Sequence, residues 1–292
     1  MKPRLSRALL ALGAMGFCAA SHALDWPVSQ PRIAATFGTP STARMVTGVL
    51  LAAESGSVKV SGPGELVYAI EEGKHPAGLP TSLGSFVVFD HGDGMIAVYA
   101  HLAPDPTSRR PREARPGVIL GAVGESGWIG GKGMLFQVFD REQGAWINPL
   151  LVLPPLADRD APVIRSVALT RASKSWVLGE ARSIIQGRYS IEIDAADRTD
   201  APWTAGPIAP FSIRISVDGI EVAREVFDIA KGSRGSLDFF SLSPKPQTRL
   251  RTPDGRYSIT EKLFTQGKAT VEAIVEDVAG NRRSASWIIL VE

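Results

Sequence analysis

Beyond residue 23 the chain is cut by glycine, proline and aspartate into short runs of β-branched and aromatic residues, and no run keeps the period of a helix. Such a chain must bury its apolar side chains by pairing strands, which points to sandwich or barrel architecture. Ser85-Phe86-Val87-Val88-Phe89 and Ile96-Ala97-Val98-Tyr99-Ala100 are joined by Asp90-His91-Gly92-Asp93-Gly94, residues that favour a tight turn. Residues 118–123 and 134–139 read the same way, with glycines 124, 127, 130, 131 and 133 between them. Residues 104–116, rich in proline and arginine, read as an exposed loop.

The second half carries longer strands, at 163–170, 189–195, 211–217, 221–227, 257–263, 269–275 and 286–291. Ala269, Val271, Ala273 and Val275 alternate with Thr270, Glu272 and Ile274, so one face of that strand belongs to a core. The Asp218-Gly219 pair predicts a hairpin turn. About seven strands of this kind suit an immunoglobulin-like sandwich, and Asp277-Val278-Ala279-Gly280-Asn281 resembles the turn before the last strand of bacterial Ig-like or fibronectin-like modules. The run from Leu153 to Pro162 contains Pro154, Pro155 and Pro162 and reads as an extended connector. It divides the chain into domains at 24–157 and 158–292.

Residues 1–23 read as a cleavable export leader. Lys2, Arg4 and Arg7 start it, an apolar stretch from Ala8 to Ala20 follows, and Ser21-His22-Ala23 supplies a small-x-small cleavage site. The stretch is shorter than the roughly 20 residues that span a bilayer, and bulky Phe17 before Cys18 argues against a lipid anchor. No later run reads as a membrane span. The style is bacterial and the expected location periplasmic. Cleavage would remove three positive charges, taking the formal net charge from +2 to about −1. A near-neutral chain without a basic block offers no footprint for nucleic acid. Cleavage would also remove Cys18, the single cysteine, and with it all thiol chemistry.

Several motifs stand in a telling order between residues 32 and 152. Arg32 to Gly38 ends in Phe37-Gly38, and Thr47-Gly48-Val49-Leu50-Leu51 follows. Tyr99-Ala100-His101-Leu102 succeeds the Asp90-His91-Gly92 turn, Pro116-Gly117 to Gly127 is glycine-rich, and Ile147-Asn148-Pro149 closes the region. The region resembles the lysostaphin/LytM-type zinc metallopeptidases, which cut peptide cross-links in peptidoglycan. The resemblance implies a LytM-type β-sheet domain followed by the Ig-like sandwich, an all-β chain.

That family holds zinc through His-x-x-x-Asp and the second His of His-x-His, with two further histidines assisting the attacking water. Carried onto this sequence, the first pair falls on Val46 and Leu50, and the His-x-His on Gly133, Met134 and Leu135; His101 alone survives. A catalytic zinc needs about three protein ligands plus an open position. One imidazole cannot supply the roughly 10 kcal/mol or more that tight sites reach, and without metal nothing brings the pKa of water towards 7. The expectation is a pseudo-enzyme with no cofactor and no metal. His101, Met134 and Gln137 are its candidate groove, with Val46, Leu50, Met134 and Leu135 giving an apolar floor. His101 is open to two roles, a satisfied structural residue or a polar contact in that groove.

Other chemistry is thinner. A relocated metal site would have to use His75, His91, His101, Asp90 and Asp93, and the reading prefers His75 and His91 as exposed turn residues. Gly124-Glu125-Ser126-Gly127 is only loosely like a nucleophile elbow, and Gly130-Gly131-Lys132-Gly133 is a tight turn before it is an anion site. Asp194, Asp197, Asp200 and Asp277 are solvated loop acids or a calcium site. Three functions compete: a non-catalytic envelope protein that binds peptidoglycan or regulates a murein hydrolase, as degenerate members of the resembled family do; an active zinc endopeptidase; and a structural scaffold.

Overall fold

The computed structural model describes residues 23–40, 45–74, 81–105, 110–204, 206–233, 236–239, 245–246 and 250–292. Residues 1–22, which hold nearly all of the expected export leader, and His75 lie outside them. Among the described residues the chain is all β apart from one 3-10 turn at Pro149–Leu151. Among the described residues, no helix is long and apolar enough to cross a membrane.

Ten strands precede the proline-rich connector: β1 (Arg32–Ala35), β2 (Val49–Ala52), β3 (Ser57–Lys59), β4 (Gly64–Ile70), β5 (Ser85–Asp90), β6 (Met95–Leu102), β7 (Glu113–Ala114), β8 (Ile119–Ala122), β9 (Gly133–Asp140) and β10 (Ala145–Ile147). Twelve follow it: β11 (Val163–Arg171), β12 (Lys174–Val177), β13 (Ser183–Ile184), β14 (Gly187–Ala196), β15 (Ser212–Val217), β16 (Ile220–Val226), β17 (Ile229–Ser233), β18 (Ser236–Phe239), β19 (Lys245–Pro246), β20 (Tyr257–Phe264), β21 (Gly267–Glu276) and β22 (Arg282–Val291). The segment expected to be a plain loop at 104–116 contains β7, which pairs with β4 and buries Ala114.

The largest sheet runs β19-β18-β17-β10-β9-β6-β5-β4-β7, and β1 and β2 attach to it through β9. β9 is its hub. Residues 133–136 of β9 pair with β2, while 138–140 of the same strand edge pair with β10. Period-2 alternation then sorts the side chains. Met134, Phe136 and Val138 join Val49, Leu51, Val87, Phe89 and Tyr99 in one apolar core. Leu50, Ala52 and Leu135 face the other way, into a smaller cluster with Ala34 and Ala35.

Beyond the connector, a four-stranded sheet (β12-β11-β14-β20) and a five-stranded sheet (β13-β22-β21-β15-β16) share a third core. Ala269, Val271, Ala273 and Val275 of β21 are all buried in it. The Asp218-Gly219 turn has φ values of 53° and 77°, the double left-handed geometry of a type I′ hairpin. Asp277 holds the last turn, accepting from the backbone and side-chain nitrogens of Asn281 at 2.9 Å each.

The two regions are joined by more than the connector. β17 pairs antiparallel with β10, so strands from after the connector extend the first region's sheet. Asn148, fully buried, donates from Nδ2 to the Phe227 carbonyl (2.8 Å) and accepts from the Leu150 amide (3.1 Å). Phe37 and Met45 pack into the sandwich core with Phe227. Gly38 makes that fit possible: a Cβ there would lie 2.3 Å from Cδ1 of Phe227, and its φ of 85° suits glycine alone.

Candidate functional site

The strand pattern assembles most of the positions onto which the resemblance carries the family's zinc ligands. Val46, Leu50 and Leu135 meet in the small cluster with Ala34, Ala35 and Ala52. Leu50 and Leu135 sit opposite each other across the β2–β9 ladder, and Gly133 pairs with Ala52 two residues along it. Val46 is fixed by its backbone, which donates to the Thr39 carbonyl and accepts from Gly38, both at 2.8 Å. These side chains offer hydrocarbon where a metal needs lone pairs, so a zinc ion does not fit this donor set.

Met134 is a correction. The sequence reading puts it on the groove floor, but successive residues of a strand point to opposite faces. Met134 is 0% exposed and lies in the large core, away from Leu135. Gln137 does share the Leu135 face, where its Nε2 donates to Thr47 Oγ1 (2.7 Å); it too is buried.

His101 is 4% exposed and stands in left-handed backbone, φ 63°, at the irregular end of the β5–β6 ladder. A non-glycine residue there carries strain that its surroundings must hold. Its amide donates to the Leu83 carbonyl (2.9 Å), and its Nδ1 lies 2.8 Å from the Ser126 carbonyl. A carbonyl only accepts, so Nδ1 carries the proton. Burial lowers the His101 pKa below the usual imidazole value, which keeps the ring neutral at pH 7.

Ser126 is spent on the same structure: its Oγ donates to the Leu102 carbonyl (2.7 Å) and accepts from the Ser85 amide (2.9 Å). No nucleophile elbow is built around it. Gly84 and Gly127 pack backbone against backbone beside it, since a Cβ on either would come within 2.5 Å of the other's chain.

His91 is a second correction. It is half-buried rather than exposed, and stacks on Phe89 with centroids 6.2 Å apart. Its Nδ1 donates to the Pro63 carbonyl (2.9 Å), which leaves Nε2 to accept from the Tyr99 hydroxyl (3.2 Å). The same hydroxyl accepts from the Ser61 amide (2.9 Å). Burial pushes the Tyr99 pKa up to about 12, so the phenol keeps the proton this relay needs.

The cluster of Ala34, Ala35, Leu50 and Ala52, against which Val46 and Leu135 pack, also carries a feature that no motif announced. Trp203 and Ala201, from the loop after β14, pack onto it as half-buried side chains. The indole sits on Gly131, where a Cβ would be 2.7 Å from the ring, and reaches Gly133, where it would be 3.2 Å away. Its Nε1 donates to the Lys132 carbonyl (3.1 Å). The signal in the sequence was the Gly130-Gly131-Lys132-Gly133 run itself, because side-chain-free backbone is what a flat ring can lie against.

A different cluster forms where the two regions meet. Asp158, Asp197 and Asp277 each place a carboxylate oxygen within 4.8 Å of the others, the one group of three or more potential ligands among the described residues. The sequence reading named Asp197 and Asp277 but paired them with Asp194 and Asp200. Instead Asp194 bonds Arg165 at 2.9 Å, and the connector supplies Asp158. Asp197 is raised to about 7, first by burial and then by its acidic neighbours, an effect partly offset by the Arg198 amide. The trio lines a cleft of about 90 Å3 together with Trp26, Phe37, Ile208 and Phe211. Three carboxylates are chemically suited to a hard cation such as Ca²⁺.

Comparison with known proteins places the chain among relatives. A protein-family model matches residues 161–292. An uncharacterized protein of Treponema pallidum (strain Nichols) is 31% identical over 116 residues, covering 36% of this chain and 79% of that protein. The cell division protein DipM of Caulobacter vibrioides is 29% identical over 134 residues, 44% of this chain but 20% of DipM. Among solved structures, the antimicrobial peptidase lysostaphin from Staphylococcus simulans aligns over 80% of this chain and 95% of its own, at 12% identity and a TM-score of 0.35.

Proposed function

The chain belongs to the family of the Treponema pallidum protein, and we propose that it is an exported, non-catalytic envelope protein that binds peptidoglycan or regulates a murein hydrolase. One observation carries this reading. The positions onto which the resemblance carries the LytM-type zinc ligands form an apolar cluster, with no side chain able to donate a lone pair at Val46, Leu50, Gly133 or Leu135. What remains of the resembled motif has become structural, since Ser126 and Leu83 hold His101. The similarity to a protein named for cell division supports the envelope setting. The export leader supports it too.

The sandwich that follows the connector is an Ig-like spacing or binding module on this reading, with the acidic trio at its junction. The test is sedimentation of the leader-free protein with purified sacculi, run beside affinity capture from cell envelopes. Retention on sacculi, or capture of a murein hydrolase, without release of muropeptides is expected. Chelator-sensitive release of muropeptides would establish the peptidase reading instead. Loss of both kinds of binding would leave only the scaffold.

A further inference from the structure

The loop between β14 and β15 is closed at its base and touches the first region at its tip. Asp197 and Ile208 form the base, with the Asp197 amide donating to the Ile208 carbonyl at 2.9 Å. Threonines anchor both ends. Thr199 Oγ1 donates to the Ile33 carbonyl, and the Ala209 amide donates to Thr39 Oγ1 (3.0 Å). Thr36 Oγ1 donates to the Ala209 carbonyl (2.8 Å). Between these anchors, the polar contact from the described part of the loop to the first region is the Trp203–Lys132 hydrogen bond. The rest is the indole lying on glycine backbone, with Ala201 beside it.

We propose that residues 200–204 are a self-supplied plug, and that Trp203 gates an apolar seat made by Val46, Leu50, Leu135 and the Gly130–Gly133 turn. The proposal deepens the envelope reading by giving its site a control, and it rests on that reading only for the identity of the ligand. Three features support it. The seat is shaped for a ring, because any side chain at Gly131 would displace the indole. The ring is half-buried, so one edge stays in solvent, and a single hydrogen bond orients it. Opening requires no separation of the two regions, because the β10–β17 pairing and Asn148 hold them together elsewhere. A loop fixed at its ends and held by one side chain at its tip is a compact surface loop of the kind that moves as a unit. The chemistry that fits the opened seat is what fills it now, an extended peptide segment carrying an aromatic side chain.

Thiol accessibility tests the plug directly, because the leader-free chain contains no cysteine. Leu135→Cys and, as an independent probe, Val46→Cys are introduced into the full leader-free protein and labelled with a maleimide. Each is then combined with Trp203→Gly or with Trp203→Phe. Labelling is expected to be about tenfold or more faster with Trp203→Gly, and close to the parent rate with Trp203→Phe. Millimolar indole should slow labelling of the Trp203→Gly proteins again by filling the seat. Equal rates with and without Trp203, at both probe positions, would overturn the plug. Where a cysteine variant does not fold, amide exchange of residues 130–137 in Trp203→Gly replaces it, and unchanged exchange overturns the proposal in the same way. Sacculus retention of the same proteins is measured in parallel. Retention on sacculi that rises with Trp203→Gly would overturn the aromatic peptide as occupant, since peptidoglycan carries no aromatic side chain, and would leave the plug standing.

Discussion

Replacing Met134 by Glu puts a carboxyl where the strand alternation of β9 places only hydrocarbon. Met134 is 0% exposed, opposite Leu51 in the β2–β9 ladder, and lies in an apolar core with Val49, Phe136 and Tyr99. Glu and Met differ little in volume, so the cost comes from the carboxyl and not from a cavity. A fully buried Glu has a pKa of about 8–9 instead of about 4.3, and each unit is worth about 1.36 kcal/mol. At pH 8 the penalty is then about 5 kcal/mol, a large part of the 5–15 kcal/mol that domains usually have.

Because the folded-state pKa is raised, the penalty is absent below the unfolded value, grows as pH rises, and levels off above the folded value. Between pH 8 and pH 5 it should shrink by about 4 kcal/mol. Urea unfolding of parent and variant at both pH values, followed by tryptophan fluorescence, measures this. Leu135→Glu, one residue along but half-buried on the other face, should cost only about 1–2 kcal/mol. If Met134→Glu costs under about 1 kcal/mol at pH 8, or the same at both pH values, position 134 is open to water and the face assignment fails.

Asp197→Asn should stabilise the protein at pH 8 by on the order of 2–4 kcal/mol, since a carboxyl raised to about 7 opposes folding increasingly above its unfolded value near 3.8; the gain should vanish by about pH 4 in parallel urea titrations. A gain that is equal at both pH values would contradict the electrostatic origin. Asn148→Ala removes two hydrogen bonds at a fully buried position between the regions and should cost about 2–3 kcal/mol in denaturant unfolding; a loss under about 0.5 kcal/mol would show that the junction does not depend on it. Residues 158–292 alone retain both sandwich sheets and should fold, with lower stability because Phe37 and Met45 leave the core and β17 loses β10. A random-coil circular dichroism spectrum of that fragment would refute its independence.

Strands were legible wherever alternation or a turn pair gave a local signal. β5, β6, β9 and most sandwich strands fall where the pattern puts them, and Asp218-Gly219 forms the expected turn. β17 to β19 were not legible, because nothing within Ile229-Ala230-Lys231 says that its partner is β10, some 85 residues earlier. Met134 was within reach of a stricter reading: if positions 133 and 135 of a strand share a face, 134 cannot join them. Trp203 lay beyond any periodic signal, since loop side chains are placed by tertiary contacts. The acidic trio was half legible for a similar reason. Asp197 directly follows β14 and Asp277 directly follows β21, whereas Asp158 arrives with a connector whose path depends on both regions.

On the proposed reading, the apolar cluster at Val46, Leu50 and Leu135 cannot hold zinc. The most direct test is elemental analysis of the leader-free protein, folded, equilibrated with about one equivalent of zinc, and passed through a desalting column. The replaced ligands predict far less than about 0.1 zinc per chain, with an unfolding midpoint unaffected by a chelator. About one zinc per chain, released by the chelator together with a fall in stability, would contradict the account.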